Sequence, residues 1–180
     1  MDKALIRKII KQRKLSLCVA EKLEEAENVF LGIELMECFL SAKSILLYYS
    51  LPDELPTHKF VEKWSSIKNI YLPRVVGNDL EVAKFDDVII PGKYGIGEPV
   101  SPSVSPSLID LVIVPAVALD TKGNRLGRGK GYYDRLLPQC SKAYKIGVAL
   151  NCQLLPAVPV EPFDVTLDAV LTASNKIIIK

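Results

Sequence analysis

The stretch Leu111-Val112-Ile113-Val114-Pro115, continuing through Leu119-Asp120-Thr121-Lys122-Gly123-Asn124-Arg125-Leu126 into Gly127-Arg128-Gly129-Lys130-Gly131-Tyr132-Tyr133-Asp134, decides how this chain folds. Its first half is an apolar run of buried-strand type. Its second half is a glycine-rich loop that leads into the predicted helix 132–137. A buried strand followed by such a loop and a helix is the unit from which sheets covered on both faces are built. Glycines 127, 129 and 131 free the backbone for positive φ and remove side chains that would hold a ligand off. Successive N–H groups of such a loop converge on an anion, and a following helix N-terminus adds its dipole. Arg125, Arg128 and Lys130 bring fixed positive charge to the same place, so the chemistry suggested is the holding of a polyphosphate. The competing interpretation is a tight turn with a solvated basic flank. It leaves the cations and Tyr-Tyr-Asp around the glycines unexplained.

Outward from this unit, apolar spacing predicts helices over 3–14 and 16–42, a strand over 44–49, a helix over 57–66 and a strand over 69–72. An edge strand is expected at 81–85, a surface loop at 101–107, a central strand at 144–149 and a last short strand at 167–171. The fold class is therefore α/β: three layers, α/β/α, with a mostly parallel central sheet and a helical N-terminus. At 180 residues the chain suits one domain over 1–180, and no internal repeat is visible. Hydrophobic content of 49%, with 10 Gly and 12 Pro, argues against disorder. A net charge of +2 makes no general case for nucleic acid or a membrane surface. The longest apolar run, 111–119, falls far short of the ~20 residues that span a bilayer. Cys18, Cys38, Cys140 and Cys152 form no Cys-x-x-Cys pair and follow no signal peptide, so reduced thiols in the cytoplasm are expected. With a single histidine, a zinc site is not expected.

The loop is neither of two familiar phosphate motifs. A P-loop needs glycine where Asn124 stands and Ser or Thr where Gly131 stands. The dinucleotide fingerprint needs its third glycine one residue later than Gly131.

Arg125-Leu126-Gly127-x-Gly129-x-Gly131-Tyr132-Tyr133-Asp134, after an Asp120-x-x-Gly123 turn, resembles the nucleotide loop of the 5-formyltetrahydrofolate cyclo-ligase family. Leu119 stands where that family often has Phe, a mild packing exchange. Lys3-Ala4-Leu5-Ile6-Arg7 resembles its ATP-contacting N-terminal element. The segment from Tyr48-Tyr49-Ser50 to Asp53-Glu54-Leu55-Pro56-Thr57 resembles the one carrying its folate-binding glutamate. Tyr71-Leu72-Pro73-Arg74, Gly97-Glu98-Pro99 and Gln153 with Val158-Pro159, Glu161 and Asp164 follow in the family's order, so the likeness covers nearly the whole chain.

The resemblance implies ATP- and Mg²⁺-dependent conversion of 5-formyltetrahydrofolate to 5,10-methenyltetrahydrofolate. Phosphoryl transfer activates the formyl oxygen, N10 attacks the activated carbon, and ADP and phosphate leave. It implies that Lys3, Ala4, Leu5, Ile6, Arg7 and the run Arg125, Leu126, Gly127, Arg128, Gly129, Lys130, Gly131, Tyr132, Tyr133 bind ATP. Tyr49, Glu54, Arg128, Gly129, Lys130, Gly131 and Tyr132 would bind the folate, with or without a polyglutamate tail. Arg125, Lys130 and Tyr132 would be catalytic, and Asp134 and Asp164 would hold Mg²⁺. A cytoplasmic monomer without nucleic-acid or membrane partners is expected. Each assignment has a plainer competitor. Asp134 can serve the first turn of its helix, Asp164 or Asp168 can each be a loop carboxylate, Glu54 beside Asp53 can be a solvated turn, and Arg74 can pair with a carboxylate. Glu98 is no stronger. His58 reads as a surface or capping residue and Trp64 as core. A sugar-phosphate isomerase, or a nucleotide- or folate-binding protein without turnover, stays open on the residues alone.

Overall fold

The computed structural model describes residues 2–86 and 88–180. Helix α1 (Lys3–Leu15) is capped by Asp2, whose carboxylate accepts from the Ala4 N–H at 2.7 Å. Where one helix is expected over 16–42, there are two, α2 (Val19–Glu34) and α3 (Glu37–Ser41). A straight continuation would carry Phe39 well round the axis from Ile33, and the break lets both bury.

The remaining elements in chain order are β1 (Ser44–Leu46), α4 (His58–Ser65), β2 (Asn69–Val76), β3 (Asp79–Lys84), β4 (Ile89–Pro91), β5 (Gly97–Pro99) and β6 (Ser103–Val104). Then come β7 (Leu111–Pro115), β8 (Ala118–Asp120), β9 (Arg125–Leu126), α5 (Tyr132–Leu136), β10 (Tyr144–Val148), β11 (Leu154–Leu155), β12 (Ala169–Thr172) and β13 (Asn175–Ile178). Eight strands form the central sheet in the order β13-β12-β10-β7-β1-β2-β3-β6. Its middle, from β12 to β2, is wholly parallel, and antiparallel pairings extend both margins.

Three expectations are corrected at those margins. The strand expected at the edge over 81–85 is β3, which lies one place in because β6 covers it. The 101–107 stretch is accordingly not a plain loop, since it supplies that edge strand and a 3-10 turn at Pro106–Leu108. Strand β12 is not the last, because β13 folds back beside it. All three errors fall where two- to four-residue pairings leave almost no periodicity to read.

The central strands bury both faces. Leu111 and Ile113 of β7 face the side packed by α2, α3 and α4, together with Ile45, Ile70 and Ile146. Val112 and Val114 face the other side, with Leu136, Leu137 and Cys140 of the α5 region. This second covering layer holds one short helix and a three-stranded sheet, β11-β8-β9. Helix α1 packs Ile6 and Ile10 onto that small sheet through Ala118, Leu126 and Val158. No helix among the described residues is long and apolar enough to cross a membrane.

The turn that launches the glycine loop is organised by one buried carboxylate. Asp120 Oδ1 accepts from the N–H groups of Lys122 and Asn124 at 2.9 and 3.0 Å. Its Oδ2 accepts from Asn124 Nδ2 at 2.9 Å and from the Val158 N–H at 3.0 Å. Burial works against the Asp120 carboxylate, but these hydrogen bonds, led by Asn124, outweigh it and hold the pKa below the usual value. Asp120→Asn is expected to lose ~2 kcal/mol of stability at pH 7. Because the folded pKa is depressed, the wild-type advantage is full above the unfolded pKa of about 4 and disappears as pH falls through the folded value. Urea denaturation of both proteins at pH 7 and pH 3 measures this; an equal gap at both pH values would contradict it.

Candidate active site

Strand order reverses between β1 and β7. From β1 the chain proceeds to β2 on one side, and from β7 to β10 and β12 on the other. In open α/β sheets a crevice forms beyond the carboxyl ends of strands at such a switch point. Here it holds a cleft of about 800 Å³. Tyr48, Tyr49 and Glu54 enter it from the segment after β1, and Pro115, Ala116 and Val117 from the end of β7. Gln153 braces the latter segment, donating from Nε2 to the carbonyls of Ala116 and Val117 at 2.7 and 2.9 Å.

The whole run Arg125 to Asp134 lines the cleft. Gly129 has φ of +93° and Gly131 of +70°, values that side-chain-bearing residues rarely adopt. A Cβ on Gly129 would also meet Arg7 Nη2 at 3.3 Å, so glycine there lets the α1 guanidinium lie against the loop. Among the described residues, the backbone N–H groups of 127–131 donate no hydrogen bond. The loop is thus a nest of free donors. Helix α5, which follows the loop, is only five residues long and so adds little dipole of its own.

The cations of the cleft differ in how far they are neutralised. Lys3 pairs with Asp164 at 3.0 Å and Glu161 at 3.1 Å. Burial opposes its charge, but these two hydrogen bonds raise its pKa above the ordinary lysine value. Arg125, with 5% of its side chain exposed, pairs with Asp134. Arg128 crosses the cleft to Glu54 at 3.0 Å and Asp53 at 2.6 Å, while the buried Lys14 holds Asp53 from behind at 2.6 Å. Burial works against the Asp53 carboxylate, yet its bonds from Lys14 and Arg128 bring its pKa below the usual range. Arg7 donates to the Gly127 carbonyl at 2.8 Å and has no carboxylate partner among the described residues, nor has Lys130. Among the described residues, two buried donors, Arg125 Nε and the Tyr133 hydroxyl, have no partner. Burial pushes the Tyr133 phenol well above its usual pKa, so it remains a proton donor at neutral pH.

Most residues singled out in the sequence therefore share one cleft: Lys3, Arg7, Tyr49, Glu54, the glycine loop, Asp134 and Asp164. Ala4, Leu5 and Ile6 do not line it; Ile6 is buried against the small sheet and Leu5 is exposed. Arg74 pairs with Glu81 at 2.8 Å, the plainer of its two interpretations, whereas Glu98 does reach the cleft. Trp64 packs edge-on against Phe39 in the helical layer, as expected of core. His58 stands half-buried at the first position of α4, with its ring against Tyr49 and centroids 4.0 Å apart. Three residues escaped the sequence. Asp53 enters the sequence reading only as the neighbour of Glu54, yet it pairs with both Lys14 and Arg128. Tyr94, whose φ is +69° without being glycine, brings its hydroxyl to 3.4 Å from that of Tyr132. Arg135 ties α5 to Asp79 at 2.8 Å in the β2–β3 hairpin. Only Tyr94 left a trace, its place next to Gly95 and the Gly97-Glu98-Pro99 motif.

No group of three or more His, Cys, Asp or Glu side chains able to hold a metal occurs among the described residues. Asp134 and Asp164 each already face a cation. Two carboxylates in a phosphate-type cleft suit Mg²⁺ that arrives with phosphate oxygens and water, not a resident ion in an all-protein cage.

The overall fold is shared with solved structures of known proteins. The NMR structure of Aquifex aeolicus 5,10-methenyltetrahydrofolate synthetase superposes with a TM-score of 0.91 at 31% identity, covering 100% of this chain and 94% of that one. A 5,10-methenyltetrahydrofolate synthetase from Mycoplasma pneumoniae gives a TM-score of 0.81 at 26% identity, covering 97% and 100%. The 5-formyltetrahydrofolate cyclo-ligase of Escherichia coli K12 is 32% identical over 178 residues, 93% of this chain and 98% of its own length. A sequence model of the 5-formyltetrahydrofolate cyclo-ligase family matches residues 1–173. With the match running through the N-terminal helix, the Glu54 turn and the glycine loop alike, the chain belongs to the 5-formyltetrahydrofolate cyclo-ligase family.

Proposed function

We propose that this enzyme uses ATP and Mg²⁺ to convert 5-formyltetrahydrofolate to 5,10-methenyltetrahydrofolate. The observation that carries this is the meeting of the glycine loop and Glu54 in one cleft, bridged by Arg128 at 3.0 Å. A nest for phosphates and an acceptor for a pterin thus lie one guanidinium apart. Family membership supports the substrate and product. The formyl oxygen attacks the γ-phosphorus and ADP leaves. N10 then attacks the formyl carbon and gives up its proton, and phosphate departs with the former formyl oxygen.

Each residue has a role suited to its surroundings. The free N–H groups of 127–131 and the uncompensated charges of Arg7 and Lys130 hold the triphosphate, with Lys3 beside them. Arg125 carries an unpartnered Nε toward charge developing on the transferred phosphoryl group, and the protonated Tyr133 hydroxyl donates in the same buried region. Tyr132 flanks the reacting groups, and Tyr49 and Glu54 receive the folate. Asp134 and Asp164 would hold Mg²⁺, which would supply neutralisation of phosphate charge. Arg128 must exchange Glu54 for a ligand group before Glu54 can accept hydrogen bonds from the pterin. All four cysteines are unpaired, in keeping with work in a reducing cytoplasm. The enzyme acts as a monomer, on folate with or without a polyglutamate tail, and needs no nucleic acid or membrane.

The decisive assay follows methenyl product by its ultraviolet absorbance. Product is expected only when 5-formyltetrahydrofolate, ATP and Mg²⁺ are all present; turnover without ATP would overturn the proposal. Lys130 is exposed and unpaired, so Lys130→Ala should change stability by no more than ~0.5 kcal/mol. Its kcat/KM for ATP should fall about 100-fold. Glu54→Gln should raise KM for the folate and leave that for ATP unchanged, and ATP kinetics that move with Glu54 instead of Lys130 would reverse the two assignments. Asp134→Asn, which keeps an acceptor for Arg125, should raise the Mg²⁺ concentration needed for half-maximal rate. An unaltered metal titration would remove Asp134 as a ligand.

A further inference from the structure

His58 is the only histidine of the chain, and nothing in the cleft chemistry described above uses it. It opens α4, and its ring meets that of Tyr49 in a T-shaped contact, with centroids 4.0 Å apart and planes at 74°. Gly97 bounds the same ring elsewhere. A Cβ on Gly97 would stand 3.0 Å from Tyr49 Cδ1 and Cε1, so a larger residue there would displace the ring. Tyr49 is thus confined by an imidazole and by bare backbone, and it also lines the cleft, which His58 does not.

The imidazole is itself held in place. Ser50 Oγ accepts from the Thr57 N–H at 3.0 Å, and the Ser50 N–H donates to Thr57 Oγ1 at 3.1 Å. Thr57 Oγ1 in turn donates to the Tyr48 carbonyl at 2.7 Å. Ser50 Oγ lies 3.0 Å from His58 Nδ1, and the hydrogen bond between them holds the imidazole at that end. Burial lowers the His58 pKa, and Glu62, one turn along the same helix, offsets this only in part. The ring is therefore uncharged at neutral pH.

We infer that His58 is a positioning residue for the folate half of the site: its ring fixes Tyr49 in the orientation that stacks on the flat pyrimidine ring of the substrate's tetrahydropterin. This rests on the proposed contact between Tyr49 and the folate. The value of an aromatic pair of this kind corresponds to a roughly three- to tenfold effect on binding. The contact, and not the hydrogen bond to Ser50, is what counts.

Two variants separate these possibilities. His58→Phe keeps the ring and loses the nitrogen, whereas His58→Gln keeps a partner for Ser50 and loses the ring. KM for 5-formyltetrahydrofolate is expected to rise about three- to tenfold in His58→Gln and to stay near wild type in His58→Phe, with KM for ATP unchanged in both. In the wild-type protein, the single imidazole C2–H proton resonance should shift when 5-formyltetrahydrofolate is added and hold still with ATP alone. The reverse order, with His58→Phe impaired and His58→Gln normal, would make His58 a structural partner of Ser50 and overturn the inference. So would unchanged folate KM in both variants beside a Tyr49→Ala protein whose folate KM rises. If Tyr49→Ala itself leaves the folate KM untouched, the folate contact of Tyr49 fails first, and the inference falls with it.

Discussion

Strands β1 and β7 lie side by side and parallel, yet the chain leaves them toward opposite margins of the sheet. The connections departing from their carboxyl ends must diverge, and the gap between them is the cleft. All else at the site follows from that divergence. The segment after β1 brings Tyr49 and Glu54 to one wall, and the connection after β7 brings the glycine loop to the other. Because both faces of these strands are buried, by α2 to α4 on one side and by α5 and the small sheet on the other, the divergence is rigidly held. The two walls of the cleft are positioned by the sheet itself.

Within that frame the free protein answers a problem common to anion sites, which is how to store several cations close together. Arg125, Lys3 and Arg128 are each matched by carboxylates from a different part of the chain: Asp134 in α5, Asp164 and Glu161 near the C-terminus, and Asp53 and Glu54 after β1. Charges in such places are stable only when compensated. Arg7 and Lys130 lack a carboxylate partner and lie against or within the loop of free N–H groups, so net positive potential is concentrated there. Three of these carboxylates, Asp134, Asp164 and Glu54, are the proposed metal and folate ligands. On this proposal, binding substrate amounts to an exchange of partners, with phosphate taking the cations and the released carboxylates taking Mg²⁺ and the pterin. Such an exchange limits the cost of desolvating either partner set.

Much of this was legible in one dimension. The apolar run at 111–114 reads as a central strand because both its faces are buried, and it is one. Helices α1 and α4 emerged within one or two residues of their expected ends, whereas the helix expected over 16–42 is broken in two and the strand expected over 69–72 runs on to Val76. The short strands β4, β5, β6, β8, β9 and β11 were not legible, since two or three residues carry too little pattern. At the site, the glycines and arginines of 125–131 announced themselves by composition. Asp53, Tyr94 and Arg135 did not, because ordinary residue types become functional only through what they meet across the fold. His58 shows the same limit: nothing near it in sequence marks a histidine whose role is to confine a tyrosine nine positions earlier.

The sequence by itself determined the class of fold, the glycine-rich and cationic character of the loop and the family, because these depend on local periodicity, backbone freedom and charge within a short stretch. Only the tertiary structure decided that Arg128 reaches Glu54, that Asp134 faces Arg125 and that Ala4, Leu5 and Ile6 stay out of the cleft. The physical reason is that each of those facts is a distance between residues brought together by strand order, and the strand order is set by which faces bury together, a property of the whole core and of no single segment.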